Sequence, residues 1–165
     1  MADTDPWFLA EELRTLLAQR LNPVPKLIMP ILGGEVIWED CCESGGQLAV
    51  SIARIYPVSP QFGFPNQAVE SDQCPGNLAV AMNAWVIRCW PSSDEEGNMP
   101  AIPVLQAAGV QLAADMRAVG NAALEQVGIW QDRYTSALAG DTLAVGPEGG
   151  CIGVSSLLTV ELDPT

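Results

Sequence analysis

The chain has no histidine and a single lysine, Lys26. Without histidine it lacks the usual general base near neutral pH and the commonest metal ligand, so most hydrolase and metalloenzyme chemistries lose their first residue. Scarce, scattered bases argue against tight nucleic-acid binding. Seven Lys and Arg stand against twenty Asp and Glu, for a formal net charge of −13, whereas grip on phosphate comes from clustered cations. No apolar run approaches the ~20 residues a membrane helix needs. The five cysteines include no CxxC pair, and the chain has neither GxGxxG nor GK[ST]. A thiolate metal site therefore lacks its spacing, and the glycines of GPEGGC (Gly146 to Cys151) read as turn residues rather than a phosphate cradle. A catalytic cysteine would have no histidine to lower its pKa. The acids Glu39-Asp40 and Asp94-Glu95-Glu96 sit beside turn residues and read as a solvated edge. The expectation is a protein that is not an enzyme, with no catalytic residue, cofactor or metal.

What remains is a core former. With 48% hydrophobic and 16% charged residues over 165 positions, residues 1–165 are expected to form a single domain, burying roughly 70% of the unfolded surface. Met1 to Asp5 is acidic and lacks the basic start and apolar run of a signal peptide, which predicts a cytosolic chain with its cysteines as thiols. A disulfide pair is the alternative outside a reducing compartment. Cys89, alternating among apolar residues, reads as a small core hydrophobe.

The organising stretch is Leu78 to Trp90, LAVAMNAWVIRCW. Leu78, Val80, Met82, Ala84 and Val86 point one way and Ala79, Ala81, Trp85, Ile87 and Cys89 the other, as in a strand covered on both faces. Its cover is a helix over about 101–127, where Ile102, Leu105, Leu112, Met116, Val119 and Ala123 form one stripe. A helix of about 25 residues runs roughly 38 Å. A strand of about 13 residues runs roughly 43 Å, so the two can lie along each other.

Upstream, Asp5 is placed as an N-cap with Pro6 at the first helical position. Trp7, Leu13, Leu16, Leu17 and Leu21 share a side, and Asn22, Pro23 and Pro25 end the helix. Leu32 to Cys42 reads as a strand joined through Gly45-Gly46 to a second strand, Gln47 to Tyr56, as a hairpin. Pro57 to Gly76 is a proline-rich excursion of about twenty residues, long for a loop with no partner. It carries Phe62 and Phe64, with Tyr56 at its start. These aromatics either fold back on the domain or anchor in a neighbouring subunit. Trp130, Tyr134 and Leu138 recur every four residues and suggest a helical turn or two. Cys151 to Leu162 reads as a closing strand.

WEDCC (Trp38 to Cys42), GQLAVSIARIYP (Gly46 to Pro57), Phe64-Pro65, the isolated Cys74, RCWP (Arg88 to Pro91) and VGPEGGCIG (Val145 to Gly153) follow in that order. Together they resemble the tail terminator, or head-to-tail connector, proteins of long-tailed actinobacterial phages, over nearly the whole chain from Trp38 onward. The resemblance implies an α/β subunit of the α+β kind, a mixed, mainly antiparallel sheet packed by a long helix and an N-terminal helix. It also implies a homo-oligomeric ring, six-membered, that is assembled in the host cytoplasm and sits in the virion at the head–tail junction. Such a ring caps the tail tube protein and meets the head connector or stopper. DNA would pass through the lumen without specific binding, and no membrane is involved. Six copies at −13 each would repel phosphate and suit such a lumen. On this reading Tyr56, Phe62 and Phe64 are subunit or partner interface residues. The alternatives are another connector component, a stopper or adaptor, and a non-viral small interaction module.

Overall fold

Asp5 and Pro6 start the first helix as their positions dictate. In a computed structural model that describes residues 5–32, 40–58 and 77–162, helix α1 spans Pro6–Arg20, and the Asp5 side chain accepts from the Trp7 N–H at 2.9 Å. Its buried side is Leu9, Ala10, Leu13 and Leu17, with Leu21 just beyond. Trp7 lies six residues before Leu13, about 120° around the helix from it, and is 40% exposed. Leu9, four residues before Leu13, takes the place expected for it.

The fold is α+β: two helices pack on a five-stranded, mostly antiparallel open sheet of order β1-β2-β3-β5-β4. The strands are β1 Leu27–Leu32, β2 Gln47–Val58, β3 Asn77–Cys89, β4 Ser136–Glu148 and β5 Cys151–Leu162; the long helix α2 is Ile102–Gln131. β3 is central, paired antiparallel to β2 and β5. Val80, Met82, Ala84 and Val86 enter the main core with Leu48, Val50 and Ile52 of β2 and Val154, Leu158 and Val160 of β5. The helices cover that face through Leu9, Leu13 and Leu17 on α1 and Val119, Ala123, Val127 and Trp130 on α2.

Three expectations need correcting. The Leu32 to Cys42 strand of the expected hairpin lies mostly outside the described residues; among those described, residues 41–45 are turn and the neighbour of β2 on that edge is β1, 27–32, which runs parallel to it. A parallel pair needs a crossover of about a dozen residues, which the chain between Leu32 and Gln47 is long enough to supply. Pro30 hides this strand in the sequence, yet a residue without an N–H is tolerated on a sheet edge, where β1 sits. Second, α2 extends through Trp130, and Leu138, expected in a helical turn, lies 45% exposed on β4. Register shifts at Ala139/Thr142 and Val145/Glu148 break the alternation that would have marked β4 as a strand. Third, the stripe of α2 is buried only in its later part: Ile102 is 71% exposed and the fully buried positions begin at Asp115.

A bulge between Ile52 and Arg54 also flips the face of β2, so that Arg54 and Tyr56 lie opposite Ala81 and Ala79, on the sheet face away from the helices. The β4–β5 connection is Gly149-Gly150, both with positive φ, as a type I′ hairpin requires.

Trp130 is fully buried, and its indole N–H donates to the Glu12 carboxylate at 2.9 Å. Trp130→Ala is expected to lower the free energy of unfolding by about 3–5 kcal/mol. Ile102→Ala, on the exposed start of the same helix, should fall within about 0.5 kcal/mol of the parent. Denaturant melts of the two variants check this, and comparable losses would show that the start of α2 packs more firmly than its exposure implies.

Candidate functional site

Three of the sequence motifs meet at one corner of the sheet. Cys89 at the end of β3 stands directly opposite Cys151 at the start of β5. The adjacent cysteines of the 40–45 turn divide between these two strands: Cys41 is bonded to Cys151, and Cys42 to Cys89. The Gly46 N–H donates to the Cys41 carbonyl and the Trp90 N–H to the Gly150 carbonyl, both at 2.8 Å. Gly46 has φ +97°, and a Cβ there would stand 3.0 Å from the Ile87 carbonyl oxygen, so a glycine is required where the turn meets β3. Cys41, Cys151 and Ile87 form a small buried cluster with Trp85 packed on it.

Four of the five expected thiols are therefore disulfide-bonded, and Cys74 lies outside the described residues. Cys89, expected in the core, is exposed. The chain spacing was misleading because the β3–β5 register brings residues 89 and 151 together, while two adjacent side chains, unsuited to chelating one ion, can reach two strands. The bridges span 110 and 47 residues, worth roughly 5 and roughly 4 kcal/mol respectively on a chain-entropy account. Among the described residues, no group of three or more His, Cys, Asp or Glu side chains is arranged to hold a metal. No helix there is long and apolar enough to cross a membrane.

The next residue back on β3 carries the second tie at this corner. The Arg88 guanidinium grips Asp115 of α2 through two bonds, Nε to Oδ2 at 2.8 Å and an η nitrogen to Oδ1 at 3.0 Å. The same η nitrogen donates to the Pro23 carbonyl at 2.6 Å, and the Gln111 amide donates to both Asp115 and the Asn22 carbonyl. Both charged side chains are nearly enclosed, with 11% and 2% exposed. The sequence does contain a signal for this pair: Arg88 interrupts an apolar strand and Asp115 interrupts the Leu112–Met116–Val119 stripe. Opposite charges placed in two buried patterns have to find each other.

Of the three expected interface residues, Tyr56 lies within β2 and not at the start of a loop. It is half-buried, with the Arg54 guanidinium 4.8 Å from its ring centroid and its hydroxyl without a hydrogen-bond partner among the described residues. Phe62 and Phe64 lie outside the described residues, as does most of the Pro57 to Gly76 stretch. What the described surface does present is a division of charge. Four of the seven basic residues are spent inside the chain, in the pairs Arg14–Glu11, Arg20–Glu125, Arg88–Asp115 and Arg133–Glu12. Arg117 faces a notch of about 370 Å³ between the end of α1 and the middle of α2, beside Arg20, Asn22, Asp115 and Asn121. In the segment before α2, Asp94 closes an acidic turn by accepting from the Glu96 and Asn98 N–H groups and the Asn98 amide. Those bonds, the Asn98 amide first, hold the Asp94 carboxyl below its ordinary 3.8. They help order the turn above the ordinary value and are lost as pH falls through the lowered one.

No family model matches the chain, and no curated protein matches it in sequence.

Peptide mapping without reductant should recover Cys41 linked to Cys151 and Cys42 linked to Cys89, whereas crossed or absent links would undo this account of the corner. Replacing Cys42 and Cys89 together by Ser should cost about 2–5 kcal/mol in unfolding. Asp115→Ala, which strands Arg88, should cost about 3–5 kcal/mol, and adding Arg88→Leu should restore part of that loss. A double variant less stable than Asp115→Ala would contradict a desolvation origin for it.

Proposed function

We propose that this chain is a structural virion subunit, a tail terminator whose homo-oligomeric ring caps the tail tube and joins it to the head connector. The observation that carries the reading is the fixed order of the short motifs from Trp38 onward. Their placement adds support. Asp40 to Cys42 of WEDCC, Arg88 to Trp90 of RCWP and Gly149 to Cys151 of VGPEGGCIG form one bonded unit through two disulfides and the Trp90–Gly150 hydrogen bond. Three motifs that build one corner behave as a single framework rather than as three separate coincidences.

On this reading the partners are further copies of the chain, the tail tube protein and the head-side stopper, with DNA passing the lumen without specific contacts. The formal charge of −13 per subunit suits that passage, since an acidic surface does not retain phosphate. The described motif residues tie three parts of the chain together, and a role in assembly calls for such ties.

A capping ring stops tube growth because it offers the next tube subunit a different face from the one it occupied. A phage with this gene deleted should therefore accumulate filled heads without tails, alongside tails of irregular or excessive length, as seen by electron microscopy of lysates. Tails of normal length that merely fail to join heads would assign the chain to the head side as a stopper. Normal infectious particles would remove it from the structural pathway.

A further inference from the structure

The charges on the surface do not balance locally. Arg117 has no carboxylate partner among the described residues, and the positions three and four away on its own helix are Ala113, Ala114, Gly120 and Asn121. Beside it in the notch, Arg20 is matched by Glu125 and Asp115 by Arg88, so the notch keeps one positive charge in a strongly acidic protein. The complementary surface is the Asp94–Asn98 turn. Asp94 is tied into the turn by three hydrogen bonds, and the turn exposes Glu95 and Glu96, the Glu96 carboxylate accepting from the Asn98 amide at 3.4 Å. Just beyond it in the chain, Met99 and Ile102 are 78% and 71% exposed, an apolar flank that the described residues do not cover.

Within one molecule Arg117 makes no ion pair with Glu95 or Glu96. Arg117 lies fifteen residues into α2, about 22 Å along the helix from Ile102. We propose that the notch around Arg117 receives the Asp94–Glu96 turn of a second copy of this chain, with Met99 and Ile102 closing over the contact from the side. The contact joins two different surfaces, so it is head-to-tail, and it closes into a ring where the rotation between neighbours closes. It deepens the terminator reading, because it names the surface through which that ring would close.

The purified protein tests it by sedimentation velocity across concentration at about 0.15 M salt, where exposed charges still interact over about 8 Å. The expected result is self-association of the parent chain that weakens at least about tenfold in Arg117→Glu and in Glu95→Arg/Glu96→Arg, because each reversal sets like charges against each other. Combining the reversals in one chain should bring association back to near the parent value, and circular dichroism should show all four proteins equally folded. Association of the parent that is indifferent to the single reversals would overturn the contact. So would a combined variant no better than either single one. Loss in Arg117→Glu of binding to a short DNA duplex, with association unchanged, would assign the notch to phosphate instead. A parent chain that stays monomeric at every concentration would also overturn the contact, while the terminator reading would still stand or fall on the tail lengths of the deletion phage.

Discussion

A guanidinium is costly inside a protein unless a carboxylate meets it and its other N–H groups find acceptors, and at Arg88 both conditions fix the layout of the chain. Asp115 supplies the carboxylate from α2, and Pro23, in the segment that leaves α1, supplies the further acceptor. One side chain at the end of the central strand thus sets how α2 lies on the sheet and where α1 hands over to β1. The bond to Asp115 also pins α2 near its middle. The helix before that point, about 20 Å of it, carries no fully buried residue, and its Ile102, Val104 and Val110 are at least half exposed.

The disulfides act on the same corner in a different way. Arg88 and Asp115 organise the native state, whereas Cys41–Cys151 and Cys42–Cys89 restrict the unfolded chain over long spans of sequence. The turn they tether leads through Gly46 directly into β2, which lies on the opposite side of β3 from β5. The bridges therefore bind the entry to one flanking strand to the ends of the other two.

Legibility in the sequence followed local regularity. β3 could be read because both of its faces are apolar, and α1 because Asp5, Pro6 and a leucine stripe agree. β1 was hidden by Pro30, which only an edge position explains, and β4 by two register shifts that spoil its period. The extra residue near Ala53 moved Tyr56 to the face without helices, a change that alternation alone cannot locate. The corner was least legible, since it depends on residues 41, 42, 88, 115 and 151 meeting through sheet register. Its one local signal, Arg88 and Asp115 as charges set within apolar patterns, was not read as a pair from the sequence.

The distribution of charge limits how copies of this chain can meet. A twofold dimer through the exposed start of α2 would bring two Asp94–Glu96 turns together, setting carboxylates against carboxylates in a chain already at −13. Like charges across an interface cost several kcal/mol, so the apolar residues beside that turn cannot pair with themselves without bringing the repulsion along. An arrangement that sets this end against a different surface avoids the penalty, and among the described residues Arg117 is one of three cations, with Lys26 and Arg54, outside any ion pair. Surfaces of that kind join head to tail, and such contacts either close into a ring or grow without limit, according to the rotation between neighbours. A tail-capping role requires closure. On the proposed contact, the angle between neighbours depends on how α2 lies against the sheet, which the buried Arg88–Asp115 pair helps to set.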